Sequence, residues 1–436
     1  MQTLKIVART FDITDNGRII TDNCSSPDRI EHDMTLLGGK MAGICYMPDD
    51  YLSEGIQNEE KSLKRAAGNK KSGHYSVFEH GSISFILETN KMMAMILNSL
   101  GVYSTSEKSG RYTVMKASSE LEQKLYDKWK SIFKHIISGY YNVGSYESGD
   151  IVESLPKCVD MDEKSIEKLA QENARYMLSV FTPTTMAYTV SYKQALMIPQ
   201  WLNNLADISE SKYKTTTDTM FYHQLYLDCK VLAGLISNAI KANSDELVLH
   251  DHKSQSIRFI QFGELPKEVI SDSYTLRYKA SLACIAQLQR HRSIRYRINI
   301  DNIINNPIYV PDIILGTPYE KIWRNDQQLL KDNGIVTQAT CVDVAEQGIV
   351  EDFYLKCLER LCSRAQLEIQ NNTIESLYKF SENHRNLSDD NVLLISRFLK
   401  FNDDDKTYEA IPRCCNERYT CKEPCSYGKD GLNRNI

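Results

Sequence analysis

Gln287-Leu288-Gln289-Arg290-His291-Arg292 ends an otherwise apolar run, Ala280-Ser281-Leu282-Ala283-Cys284-Ile285-Ala286, and its reading decides the fold. The run predicts a helix with one buried side. Gln287, Arg290 and His291 stand at i, i+3 and i+4, so an amide, a guanidinium and an imidazole project together from one face. Such a face suits an anion or a polar heterocycle, because Arg offers a fixed fork of donors and an amide both donates and accepts. Arg295 and Arg297 follow. Taken alone, the segment also reads as a solvated helix end, where basic residues answer the negative pole of the dipole.

Outward from this helix, residues 274–280 alternate as a strand. The same order occurs upstream. Ser82-Ile83-Ser84-Phe85-Ile86-Leu87 alternates, residues 91–100 form an apolar helix ending at Gly101, and Ser104-Thr105-Ser106-Glu107-Lys108-Ser109-Gly110-Arg111-Tyr112 is a polar loop. Strand, apolar helix and polar loop thus appear at 82–112 and again at 274–300, which suggests a duplication. Gln224-Leu225-Tyr226-Leu227 is echoed by Gln366-Leu367-Glu368-Ile369. The expected divisions are 1–243, 244–402 and a charged, Cys-containing tail at 403–436. Further expectations are a Gly38-Gly39 turn, a cap at Asp162 or Ser165, and helices over 185–202, 218–242 and 346–378.

The chain has 436 residues, with 42% apolar and 25% charged, ordinary for a globular protein with ample core. A net charge of −5 argues against a dedicated nucleic-acid binder. No apolar run approaches a membrane span, and the opening Met-Gln-Thr-Leu-Lys-Ile-Val-Ala-Arg reads as a strand rather than a signal peptide. The 12 cysteines are scattered, several in helical patterns such as Cys284, Cys357 and Cys362, which fits reduced thiols in a cytoplasmic protein. Cys414, Cys415, Cys421 and Cys425 could hold zinc through thiolates, with His384 as a further candidate, although the spacing is not a paired Cys-x-x-Cys. The plainer reading is a mobile, reduced tail.

The motifs together resemble two tandem, diverged copies of a flavin-dependent thymidylate synthase. The first copy has His74-x-Ser76-x-Phe78-Glu79-His80, then Ser104-x-Ser106-Glu107-x-Ser109-x-Arg111-Tyr112, then Glu172-x-Ala174-Arg175. It lacks the basic triplet, since Ser99, Leu100 and Gly101 stand there. The second copy has Gln287-x-x-Arg290-His291-Arg292, and Arg360 ahead of Ala365-Gln366-Leu367-Glu368-Ile369. It lacks the Ser/Glu/Ser/Arg loop, replaced by Arg295 to Asn302. The losses are complementary: a fused pair needs only one intact pocket, and each copy keeps the set that the other dropped.

The resemblance implies an α+β fold of two tandem thymidylate-synthase-complementing-protein-like domains, each an antiparallel sheet packed with long helices. It implies methylation of dUMP to dTMP with methylenetetrahydrofolate, NADPH and FAD, at a composite site between the repeats. Alternatives are hydroxymethylation of a pyrimidine nucleotide and a non-catalytic nucleotide-binding homologue. Glu107, Ser109, Arg111, Arg175, Gln287, Arg290 and Arg360 match nucleotide positions, with Ser109 and Arg360 the catalytic pair. His74, Ser76, Glu79, Arg290, His291 and Arg292 match flavin positions. The family's Asn-x-Arg departs to Ser191-Tyr192-Lys193 in the first copy and to Ile349–Glu351 in the second. The implied assembly is a homodimer resembling a tetramer of single domains, with no nucleic-acid or membrane partner.

Overall fold

The computed structural model describes residues 2–10, 26–46, 51–72, 74–110, 113–141, 162–215, 219–241, 268–289, 294–363, 365–404, 407–416 and 427–434. In chain order its main elements begin with β1 (Thr3–Arg9), α1 (Pro27–Tyr46), α2 (Glu54–Gln57), α3 (Glu59–Ser72), β2 (Ser82–Asn90), α4 (Lys91–Leu97) and β3 (Tyr103–Glu107). Next come α5 (Glu120–Tyr141), α6 (Glu163–Ala174), β4 (Pro183–Ser191), α7 (Tyr192–Thr215) and α8 (Thr219–Ile240). The second half holds β5 (Ser273–Ser281), α9 (Leu282–Leu288), β6 (Arg295–Asn299), α10 (Pro318–Asp332), β7 (Cys341–Ile349) and α11 (Val350–Arg360). The last elements are α12 (Leu367–Glu382), α13 (Asp389–Ser396), β8 (Leu399–Asn402) and β9 (Thr407–Ala410). The fold is α+β with antiparallel sheets, as the resemblance implies.

Two compact units form, each from two stretches of chain: 1–108 with 183–261, and 109–182 with 262–436. The first unit holds a sheet in the order β1-β2-β4-β3. Ile83, Phe85 and Leu87 of β2 and Met186, Tyr188 and Val190 of β4 alternate into its core. The Gly38-Gly39 pair makes no turn; both glycines lie inside α1. A Cβ on Gly39 would meet the Ser62 carbonyl oxygen at 1.9 Å, and one on Gly38 the Phe78 ring at 2.6 Å. These glycines let α3 and the Phe78 turn approach α1 closely.

The second unit has a sheet in the order β5-β7-β6 and two cores. One joins Trp129 and Phe133 of α5, Tyr176 and Met177, and Trp323 and Leu330 of α10. Trp129 and Trp323 meet edge to face at 4.7 Å between centroids. The stretch around residues 178–180 is sewn to 336–338 by backbone bonds, Val180 N to Val336 O at 3.0 Å and Gln338 N to Leu178 O at 2.8 Å. The other core packs Leu276, Phe353, Leu377, Phe380 and Phe398.

The sheets of the two units share a plan. β2-β4-β3 and β5-β7-β6 have the same order, and the strands have the same lengths of 9, 9 and 5 residues in each. A 7-residue helix, α4 or α9, follows the first strand directly, capped by that strand's last residue, Asn90 or Ser281. Several sequence expectations shift: 185–202 divides into β4 and the start of α7, and 346–378 into the end of β7, α11 and α12. The predicted polar loop begins as strand β3, and the helix from 91 ends at Leu97 rather than near Gly101. Asp162 does cap α6, its side chain accepting from Ser165 N.

Candidate active site

Within the second unit, α6 ends at Arg175, whose guanidinium is 5% exposed. A cation suits this place, at the negative pole of the helix. Gln171, one turn earlier, donates to the carbonyls of Gly110 at 3.2 Å and Thr113 at 3.0 Å. This pins Gly110 and Thr113 on α6. A Cβ on Gly110 would come within 3.6 Å of Arg175 Cδ, so the turn runs against the arginine. Glu172 Oε1 stands 4.0 Å from Arg175 Nη2.

On its other side Arg175 meets Gln287, at the end of α9. The amide orientation that satisfies both neighbours has Arg175 Nη1 and Nη2 donating to the Gln287 oxygen at 2.9 and 3.0 Å. The Gln287 nitrogen then donates to Gln366 Oε1 at 3.2 Å. Gln366 Nε2 donates to Tyr176 Oη, which donates to Glu368 Oε2 at 3.0 Å. Glu368 also accepts from Ser281 N at 2.6 Å and from Ser281 Oγ. Burial pushes the Glu368 carboxyl above the ordinary glutamate range, against its hydrogen bonds from Ser281 and Tyr176. Arg175 Nε is buried and has no hydrogen-bond partner among the described residues.

Sequence reasoning singled out Arg175 and Gln287 but gave no role to Tyr176, Ser281, Gln366 or Glu368. Gln366 occupies the N-cap position of α12 without capping it by its side chain, because its amide is turned to Tyr176. The only signal was the Gln366-Leu367-Glu368 run at a helix start. Nothing in the run announced burial.

Arg360 ends α11 and is 3% exposed. Its Nη2 donates to Tyr296 Oη at 2.8 Å, and its Nη1 lies 3.6 Å from Glu346 Oε2. Tyr274 and Tyr278 donate to the same carboxylate at 2.8 and 2.7 Å. Burial opposes the guanidinium's charge, yet the surrounding oxygens of Tyr296 and Glu346 hold it protonated more firmly than usual. Arg360 Nε has no partner among the described residues.

The first unit holds Glu107, His74, Ser76 and Glu79. Glu107 Oε1 accepts from Lys91 Nζ at 2.5 Å and from Thr184 Oγ1 at 3.0 Å. Tyr75 and Phe78 are buried and anchor a short 3-10 turn that leaves His74, Ser76, Glu79 and His80 exposed. Glu79 pairs with Lys193 at 2.5 Å. Arg111, Arg290, His291 and Arg292 lie outside the described residues, as do Cys421 and Cys425. Cys414 and Cys415 are exposed, and no group of three or more His, Cys, Asp or Glu side chains suited to a metal occurs among the described residues. No helix among them is long and apolar enough to cross a membrane.

Residues 34–200 match the family model of the thymidylate synthase complementing protein. Over this span, well under half of its length, the chain is similar to that family. The family segment runs through both compact units, carrying the His74–His80 and Ser104–Arg111 motifs and the Glu172-x-Ala174-Arg175 end of α6. Among solved structures, thymidylate synthase X from Helicobacter pylori with FAD and dUMP is 15% identical, over 49% of this chain and 95% of its own, with a TM-score of 0.27. A UMP/dUMP methylase from Streptomyces cacaoi bound with 5-Br dUMP is also 15% identical, over 47% of this chain and 77% of its own, with a TM-score of 0.24. No curated protein matches the chain.

Proposed function

We propose that the chain is a fused pair of flavin-dependent thymidylate synthase modules that methylates dUMP to dTMP, with methylenetetrahydrofolate as one-carbon donor and NADPH as reductant. The observation that carries this reading is the contact of Arg175 with Gln287. They belong to different sequence repeats, the family's pocket needs both, and they meet inside one compact unit. The shared strand order and lengths of the two sheets support the fusion.

Arg175 and Gln287, with Arg111, Arg290 and Ser109, would hold the phosphate and carbonyl oxygens of the nucleotide; guanidinium forks donate to such oxygens in pairs. Glu107 would orient this set, and Ser109 and Arg360 would stand at the reacting end. His74, Ser76, Arg290, His291 and Arg292 would hold FAD. The described part of that set fits an anionic cofactor: His74 and Ser76 are exposed donors on an anchored turn. Lys193, where the family has an arginine, keeps the charge but loses the fork, and Glu79 is its partner. Bound flavin supplies the hydride chemistry that no side chain provides. A homodimer in the cytoplasm completes the reading.

The test is direct. Purified protein is expected to carry flavin absorbance and to convert dUMP to dTMP when given methylenetetrahydrofolate and NADPH. Arg111→Ala and Arg290→Ala should each abolish dUMP binding. Normal binding and turnover by either variant overturns the composite site, and a hydroxymethylated product, from dUMP or dCMP, redirects the reading to a nucleotide hydroxymethylase.

A further inference from the structure

We propose that Glu368 is a positioning residue for nucleotide recognition: through Tyr176 and Gln366 it decides which way the Gln287 amide faces, so that donors rather than acceptors are left for the ligand. The inference rests on the reading that Arg175 and Gln287 meet the nucleotide.

One group in this chain of hydrogen bonds has a fixed direction. Ser281 N–H is a backbone donor and can only give a proton to Glu368 Oε1, at 2.6 Å. Ser281 Oγ caps α9 by accepting from Cys284 N at 3.0 Å, so its own proton goes to Glu368 Oε2. Glu368 is therefore an acceptor on both oxygens, and the Tyr176 proton must also point at it. That leaves the Tyr176 oxygen to accept, and only the nitrogen end of Gln366 can donate to it. Gln366 Oε1 is thereby turned toward Gln287, 3.2 Å from its nitrogen and 3.1 Å from its oxygen, and of the two only the nitrogen can donate to it. The Gln287 oxygen faces Arg175, which donates twice.

Neither glutamine has a preferred orientation of its own, since the two ends of an amide are nearly the same size. The order comes from the ends of the chain, a carboxylate at one and a guanidinium at the other, with every donor pointing toward Glu368. Tyr176, Gln366 and Glu368 are 2%, 5% and 6% exposed, so water is a poor competitor for these bonds. Two donors remain uncommitted within this chain of bonds: the second N–H of Gln287, which is half-buried, and Arg175 Nε. A ligand presenting an acceptor oxygen would meet the Gln287 N–H, while Arg175 Nε is buried behind it.

The experiment uses the full chain and two readouts. The first, without ligand, is the side-chain amide NMR signals of Gln287 and Gln366. Both are expected to be protected from exchange in the native protein, and to move in Glu368→Gln and Tyr176→Phe. The second is dUMP affinity, expected to fall tenfold or more in Glu368→Gln and to recover in part in Glu368→Asp, with far-UV circular dichroism unchanged. Tyr176→Phe, which deletes one hydroxyl, carries the test if Glu368→Gln does not fold. Amide signals that stay in place in the variants overturn the proposal, as does unweakened dUMP binding by either folded variant. If the native protein fails to bind dUMP while the amide signals still move, the enzymatic reading falls and the relay stands.

Discussion

Removing Arg360 leaves the Glu346 carboxylate buried with only hydroxyl partners, Tyr274 and Tyr278. Breaking one side of such a pair costs about 3–5 kcal/mol, whereas replacing both sides costs far less. Arg360→Met should therefore destabilise the protein strongly in urea, and adding Glu346→Gln should restore most of the loss. A stable Arg360→Met protein that has lost turnover would instead put the guanidinium on the reacting nucleotide. Gly39→Ala is the second residue-scale prediction. Its methyl would sit 1.9 Å from a carbonyl oxygen of a neighbouring helix, so α1 and α3 must separate. Overpacking of this kind costs about 1–3 kcal/mol, read as a lower urea midpoint with an unchanged slope. The Gly-Gly pair looked like a turn in the sequence because close helix packing and turn formation both call for glycine. Only the partner, Ser62, tells them apart, and it is 23 residues away in the chain.

At the scale of elements, four strands run straight into helices with no residue between: Asn90 to Lys91, Ser191 to Tyr192, Ser281 to Leu282 and Ile349 to Val350. This explains what was legible. β2 and β5 alternate clearly and their helices were found, because Asn90 and Ser281 are cap residues that mark the change. Ile349 caps nothing with its side chain, and β7 was read as part of a helix. β4 has the alternation, Thr184, Met186, Tyr188 and Val190 being buried, but no Gly or Pro separates it from α7. A pH effect belongs at this scale. Asp272, just before β5, accepts from Ser388 N at 3.0 Å and Asn391 Nδ2 at 2.8 Å, at the start of α13. The Ser388 backbone bond first, then Asn391, lowers its carboxyl below the usual aspartate range. A lowered folded value means that the stabilisation is present above the unfolded aspartate pKa and is lost as pH falls through the folded one. Asp272→Asn should flatten that acid limb of a urea-stability profile. An acid limb identical to the native one would show that this link contributes nothing.

The repeats expected from the sequence and the compact units divide the chain in different ways. The motifs suggest a division near residue 243, whereas the compact units interlace along the chain, 1–108 with 183–261 and 109–182 with 262–436. Sequence patterns could not show this, because α5 and α6 are amphipathic helices whose apolar faces do not name their partner. The interlacing makes a prediction about folding. The expected second repeat with its tail, residues 244–436, would keep Trp323, Leu330, Ile313 and Ile314 but lose Trp129, Phe133, Tyr176 and Met177, which pack against them. It would also lose the backbone bonds of Val180 and Gln338. Burying a large apolar side chain contributes roughly 1.5–3 kcal/mol, so losing these four partners, roughly 6–12 kcal/mol, is comparable with the 5–15 kcal/mol by which a domain is typically stable. Expressed by itself, 244–436 should expose apolar surface, bind a hydrophobic dye and melt without a cooperative transition. Supplying residues 109–182, through a linker ahead of 262–436, should restore cooperative melting. Cooperative unfolding of 244–436 without that segment would mean that the second repeat has its own sufficient core, and the pocket's dependence on an interlaced chain would have to be abandoned.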